Sequence, residues 1–269
     1  MNKTIHNWIL AGAIFLSFSA GYVNAISISH QTPLTHATGS LSQVALNLEN
    51  GDFVRSLHFA TLIFSFFIGC VVSGFVVQDS VLKLGRRYGI IFFLEGICLF
   101  AAVPFLNNGS NIGYYIAAFA FGLQNSMATA YSNARLRTTH MTGLINDLGL
   151  TVGHVLRGLP VDWQRLQLYV LILSGFFGGG VAGMAMANRF GFYAFFLPAT
   201  LMVGMAVVYT LLLQYIRVRR SPEVKEQWQE MLRRNGILYA AVRYLHINFS
   251  NSKLVVELEK LADGFLAST

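Results

Sequence analysis

The chain has 269 residues, of which 54% are hydrophobic and only 12% charged, with a formal net charge of +7. Its mean hydropathy is +0.53. Soluble domains carry about 25% charged residues, so this composition excludes a water-soluble enzyme and points to a protein covered by lipid.

The basic residues give a pI near 9.6. They gather at the ends of apolar runs instead of forming a stripe with interleaved aromatics, which is the distribution of membrane anchors and not of a nucleic-acid surface. A helix crossing a hydrocarbon core of about 30 Å needs roughly 20 mostly apolar residues. In chain order the runs 8–28, 58–77, 88–106, 112–131, 166–187 and 190–216 meet that condition. Because they are continuous and not alternating, they predict an all-α integral membrane protein with about six transmembrane helices.

The first run follows Lys3 and ends at Val23-Asn24-Ala25, a three-part pattern similar to a secretory signal with a cleavage site. Gly21 and Asn24 recur deep inside the chain, however, where no signal peptide lies, and this favours a retained span. Next comes Thr35-His36-Ala37-Thr38-Gly39, leading into a short stretch with Leu41, Val44, Ala45 and Leu48 on one helical face. The stretch is too short to cross a bilayer and predicts a re-entrant or interfacial half-helix. Thr38 would cap its N-terminus and Gly39 would leave backbone amides open, an arrangement that favours anions. His36 would add a charge that depends on pH near neutrality. A cap and a tight turn, with the histidine satisfied by a carbonyl, is the structural reading of the same residues.

The second run carries Ser65, Gly69 and Ser73 at four-residue spacing, a groove that lets another backbone approach closely. In the third, Glu95 is the one charge. A carboxylate mid-span costs about 2.5–3.5 kcal/mol on insertion scales and usually marks a functional group inside the bundle, although a protonated one can serve as a structural hydrogen-bond donor. Gln124 and Asn125 in the fourth run, like Asn24 in the first, are amides that have to pair with a helix, a water or a substrate. Arg135 and Arg137 follow as anchors near the mouth of a second Thr139-His140-Met141-Thr142-Gly143 motif. Its amphipathic stretch places Leu144, Leu148, Val152 and Val155 together and carries Asp147 where the first copy has neutral Gln43. The fifth run holds the ladder Gly175, Gly179 and Gly183, and an Asn188-Arg189 corner separates it from the sixth. The tail, 217–269, is charged and amphipathic, with helices that suit the membrane surface or a partner.

These motifs form a repeat. Gly21-Tyr22-Val23-Asn24-Ala25 answers Gly122-Leu123-Gln124-Asn125-Ser126, and the two Thr-His-x-Thr-Gly motifs, the two ladders, and Arg87-Tyr88-Gly89 with Arg189-Phe190-Gly191 follow in the same order. The expected units are therefore residues 1–108, 109–216 and a tail, 217–269. Three spans per copy would insert the second copy upside down, as in many secondary transporters. Clusters at Lys83, Arg86 and Arg87, between the fourth and fifth runs, and at Arg217, Arg219 and Arg220 predict cytoplasmic termini in a bacterial inner membrane.

No phosphate loop, nucleophile elbow or His-Glu-x-x-His pattern occurs. Cys70 and Cys98 lie in apolar runs and read as buried hydrophobes. No enzyme activity, cofactor, metal or catalytic residue is expected, and no nucleic acid as partner.

Through Gly21-Tyr22-Val23-Asn24-Ala25, Thr35-His36-Ala37-Thr38-Gly39 and the stretch Ala134-Arg135-Leu136-Arg137-Thr138-Thr139-His140-Met141-Thr142-Gly143, continuing to Asn146-Asp147-Leu148-Gly149, the chain resembles the YoaK-like family of bacterial membrane proteins, known as domain of unknown function 1275. It departs from the family pattern at Asn24, where an acidic residue is expected. The resemblance implies a polytopic inner-membrane protein and supplies no substrate. Together these readings predict a small transporter or permease for a small polar solute, anions included. Its site would use Asn24, Thr35, His36, Thr38, Gly39, Glu95 and the second-copy residues named above. The alternative is a membrane scaffold or sensor acting through its tail, with a second copy or a cytoplasmic protein as partner.

Overall fold

The computed structural model describes residues 3–77, 87–131 and 139–220, with side chains for 10–77, 87–130 and 139–214. Their regular structure is helical: α1 (Lys3–Ser29), α2 (Ala37–Glu49), α3 (Phe53–Val76), α4 (Arg87–Asn107), α5 (Ile112–Tyr131), α6 (Met141–Leu156), α7 (Trp163–Phe190) and α8 (Phe196–Arg220), with a 3-10 turn at Gly191–Phe195 before α8. Long, short, long and long helices thus follow one another twice. The described residues within His6–Val207 form one compact unit, and Lys3–Ile5 with Val208–Arg220 belong to a second. Most of the expected tail lies outside the described residues.

Capping residues fix where the helices start. The Asp52 side chain accepts a hydrogen bond from the Arg55 amide and opens α3, while Asp162 accepts from the Gln164 and Arg165 amides and opens α7. Each satisfies amides that a helix start leaves bare. α3 therefore begins five residues before the apolar run at 58, because the cap and not hydropathy sets its start. The α7–α8 junction also differs from expectation. Asn188 and Arg189 are helical, and the break falls at Gly191, whose φ of +57° suits a residue without a Cβ.

Four stretches among the described residues are long and apolar enough to cross a membrane: Leu10–Ser29, Phe53–Val76, Arg87–Asn107 and Trp163–Gln214. These apolar helices mark a membrane-embedded protein. The last stretch has 52 residues, about 78 Å if it were one straight helix, far more than one crossing needs. The break at Gly191 divides it into α7 and α8. α5 is not among the four, since its amides and tyrosines dilute it. It has no need of an apolar outer face, because α3 and α4 pack on it and Ala117, Ala118, Ala120, Phe121 and Leu123 have no exposed surface.

Two close crossings organise the unit. On α3 and α5, a Cβ placed on Gly69 would strike the Phe119 carbonyl oxygen, and one on Gly122 would strike that of Phe66. On α1 and α7, a Cβ on Gly21 would strike the Phe176 carbonyl oxygen, and one on Gly179 that of Phe18. The residues correspond one for one: Phe18 and Gly21 stand 101 positions before Phe119 and Gly122, and Phe66 and Gly69 stand 110 before Phe176 and Gly179. A third crossing seats Gly96 of α4 against Ala199 and Val203 of α8.

The two short helices bury different kinds of residue. α2 buries Ser40 and Asn47 against α3, and the Ser56 hydroxyl donates to the Val44 carbonyl at 3.0 Å. Leu41, Ala45 and Leu48 face outward, while Val44 is partly buried. In lipid an apolar face has no reason to turn inward, so polar residues take the protein side. α6 buries Leu144 and leaves Val152 and Val155 exposed.

Candidate functional site

Each half sets a span amide against the residues that precede its short helix. Asn24 on α1 is 2% exposed. Its Oδ1 accepts from the Thr35 hydroxyl at 3.0 Å and from the Thr35 backbone N–H at 3.4 Å, and its Nδ2 lies 3.1 Å from His36 Nε2. In the second half, Asn125 Oδ1 on α5 accepts from the Thr139 hydroxyl, again at 3.0 Å. Asn125 Nδ2 donates to the Phe121 carbonyl at 3.2 Å, one turn back along its own helix.

The two histidines then diverge. His36 reaches back to Asn24, whereas the His140 ring lies over Gly143, where it occupies the place a Cβ would take. Gly39 has only the His36 Cβ nearby, 3.8 Å from such a position. Both histidines stand at the N-cap of their helices, and neither side chain caps. Thr38 and Thr142, expected as caps, are instead exposed residues inside the first turn, because each helix starts two residues earlier than the motif suggests. Part of the His36 ring is open, but atoms packed on the rest exclude water and lower its pKa from the ordinary 6.5.

Glu95 has no exposed surface, and neither carboxyl oxygen has a hydrogen-bond partner. It shares a helix face with Ile91, Leu99 and Ala102, all fully buried. Gln124 is also fully buried. Its Nε2 donates to the Leu16 carbonyl at 3.4 Å, while its Oε1 has no partner. The structure therefore assembles Asn24, Thr35 and His36 into one cluster, and Asn125, Thr139, His140 and Gly143 into another. It does not bond Glu95 or Gln124 to either. Asp147 on α6 is half-buried and faces Tyr169 of α7, while its counterpart Gln43 accepts from Asn47 Nδ2 at 3.4 Å. Arg135 and Arg137 lie outside the described residues. A void of about 10 Å³, room for roughly one water, sits beside the start of α2 between Leu34, Ala37, Ser40, Leu62, Ile63 and Phe66.

Sequence reading missed two links near these clusters. The Tyr115 hydroxyl lies 2.9 Å from His58 Nδ1, and the Tyr22 hydroxyl donates to the Ala194 carbonyl at 3.2 Å. Partners separated by 57 and 172 positions leave no local signal. The Asp52 and Asp162 caps were within reach, because both stand at the head of an apolar run, 110 positions apart.

Residues 12–208 match the sequence model of a family described as protein of unknown function (DUF1275). The chain belongs to that family. The match takes in both Thr-His motifs, Glu95 and both glycine crossings, so the geometry described above lies within the DUF1275 region. Neither the comparison with curated proteins nor that with solved structures gives a match.

Proposed function

We propose that this DUF1275 protein is a six-span, inverted-repeat membrane protein that moves a small polar solute, anions included, and that it is not an enzyme. One observation carries the reading: the crossing of α1 on α7 and the crossing of α3 on α5 use equivalent residues in reciprocal roles. Each repeat thus packs its first span on the second span of the other, as two units facing each other about an axis in the membrane plane would. α2 and α6 have 13 and 16 residues, about 20 and 24 Å of helix, which is less than a crossing. That leaves three spans per repeat and opposite insertion. Basic residues at the helix ends then put both termini in the cytoplasm of a bacterial cell and the start of α2 on the outer side, with that of α6 inside.

In this reading the Asn-Thr-His clusters are the two mouths of one path, and Glu95 and Gln124 are the polar groups between them. Glu95 is sealed from both sides, as the centre of a transporter is when neither mouth is open. A sealed centre also suits the second reading, a scaffold that signals through its tail.

Labelling separates the two. Ser42 and Asn146 are equivalent, exposed and polar. Each would be replaced singly by Cys in a Cys70→Ala, Cys98→Ala background and treated with an impermeant maleimide in intact cells and in inverted vesicles. The expected result is Ser42→Cys reacting in cells and Asn146→Cys in inverted vesicles, with solutes that evoke current in proteoliposomes shifting the two rates in opposite directions. Reaction from a single face would overturn the inverted repeat. Opposite faces with no current for a panel of small anions and neutral polar solutes would favour the scaffold.

A further inference from the structure

We infer that the Asn24–His36 hydrogen bond is a proton-operated latch that holds the start of α2 against α1 and opens when His36 takes up a proton. The argument follows from which groups can donate. A backbone N–H is an obligate donor, so the Thr35 amide fixes Asn24 Oδ1 on its own side, where the Thr35 hydroxyl also donates. The NH2 of Asn24 is thereby turned toward His36 Nε2 at 3.1 Å. An amide NH2 can only donate, so Nε2 has to accept. His36 is then neutral, with its proton on Nδ1. Protonation would put a hydrogen on Nε2 and bring two donors face to face across that distance. Asn24 cannot turn over to meet it without presenting NH2 to the Thr35 amide.

The surroundings leave the imidazole as the switching group. α2 carries Glu49 in its last turn, α3 carries Asp52, Arg55 and His58 near its start, and the connecting segment carries His30. Asp52 caps α3, Arg55 donates to the Gln31 side chain at 2.6 Å, His58 bonds Tyr115, and the His30 ring stacks on Phe192. None of them sets the proton affinity of His36, which burial alone lowers. With Ala37, Thr38 and Gly39 exposed and no capping bond from the N-cap side chain, the first turn of α2 is held by Ser40, by the Thr35 bonds to Asn24 and by this latch, so losing the latch loosens it. α6 is built differently, because His140 covers Gly143 and Asn125 Nδ2 is bound to Phe121. The latch therefore belongs to α2 alone, and α6 serves as an internal control. It stands on these hydrogen bonds whether or not the protein transports anything.

The test is hydrogen exchange on the full-length protein in lipid nanodiscs, between about pH 8 and about pH 5, corrected for the intrinsic pH dependence of exchange. Protection of the first turns of α2 should fall at least about fivefold as His36 titrates, the change that losing one hydrogen bond brings, while α6 holds steady. His36→Gln, whose carbonyl can accept from Asn24 without titrating, should keep α2 protected throughout. Asn24→Asp should reverse the trend, since a carboxylate accepts from Thr35 and from protonated His36 together. Wild-type α2 protection that does not change with pH would overturn the latch, as would an equal fall in α6. A fall that persists in His36→Gln, or an unreversed trend in Asn24→Asp, would assign the titration to another group and overturn it equally.

Discussion

Gly69 on α3 and Gly122 on α5 meet backbone to backbone, so that a Cβ on either would fall on a carbonyl oxygen of the opposite helix. Backbone cannot move aside as a flexible side chain can, and overpacking of this kind costs about 1–3 kcal/mol or more. Gly122→Ala and Gly179→Ala should therefore lower thermal stability in detergent sharply. Gly74 and Gly178 lie on the small-residue helices α3 and α7, and a methyl carbon added to either would have no heavy atom within 4 Å. Their alanine variants should melt at or slightly above the wild-type temperature, since alanine favours helix. Equal losses at all four glycines would mean that backbone contact at the crossings does not govern the ladder.

The two aspartate caps make a graded pair. Asp162 accepts from two amides and Asp52 from one. Replacing a capping carboxylate by Ala costs about 0.5–2 kcal/mol. Asp162→Ala should fall in the upper part of that range and Asp52→Ala in the lower, as read by thermal denaturation of the purified protein. The reverse order would show that neighbouring side chains take over the cap at α7.

Thr35→Val and Thr139→Val test whether the bond common to both halves does equal work. Each keeps the side-chain shape and removes the hydroxyl that donates to an asparagine oxygen at 3.0 Å. A lost hydrogen bond of this kind costs about 1 kcal/mol. In the first half the Thr35 amide still donates to Asn24, so Thr35→Val should fall below that figure and keep α2 in place.

Much of this architecture could be read from the chain, and the reasons differ by element. The repeat was visible because packing and capping demand particular residue types at fixed spacing: glycine where backbones touch, asparagine and threonine where a span amide needs an acceptor or a donor. The meeting of Asn24 with Thr35, and of Asn125 with Thr139, unites motifs that stand separately in the sequence. What failed were inferences from local patterns. The Thr-Gly pairs looked like caps, but the helices start before them. The apolar face with Leu41 and Leu48 says nothing by itself of which way it turns, because lipid removes the reason for apolar residues to face inward. The corner expected at Asn188 and Arg189 moved to Gly191, because two polar residues do not end a helix as a positive φ does. The run 112–131 reads as a span, yet α5 is not among the stretches apolar enough to cross a membrane, and its burial is a property of neighbours that hydropathy does not see.

Glu95 separates structure from function by a single atom. Glu95→Gln keeps the volume of a fully buried side chain and removes its exchangeable proton. In the transporter reading it should fold and melt near the wild-type temperature, within about 1 kcal/mol, yet abolish current that depends on a proton gradient. Glu95→Lys, which places a charge in the same sealed position, should not yield stable protein. A Gln variant with unaltered current would remove Glu95 from the path.

The pH dependence of stability follows from His36. Its pKa in the folded protein lies below the ordinary 6.5, so the unfolded chain takes up a proton first as pH falls. Folding stability is then undiminished above the ordinary value and declines as pH drops through it toward the lower folded value, beyond which the loss levels off. Thermal denaturation of the purified protein at a series of pH values should show that decline in the wild type and a smaller one in His36→Gln. The residual decline reports other groups. If His36→Gln declined as steeply as the wild type, the acid-sensitive group would lie elsewhere in the chain.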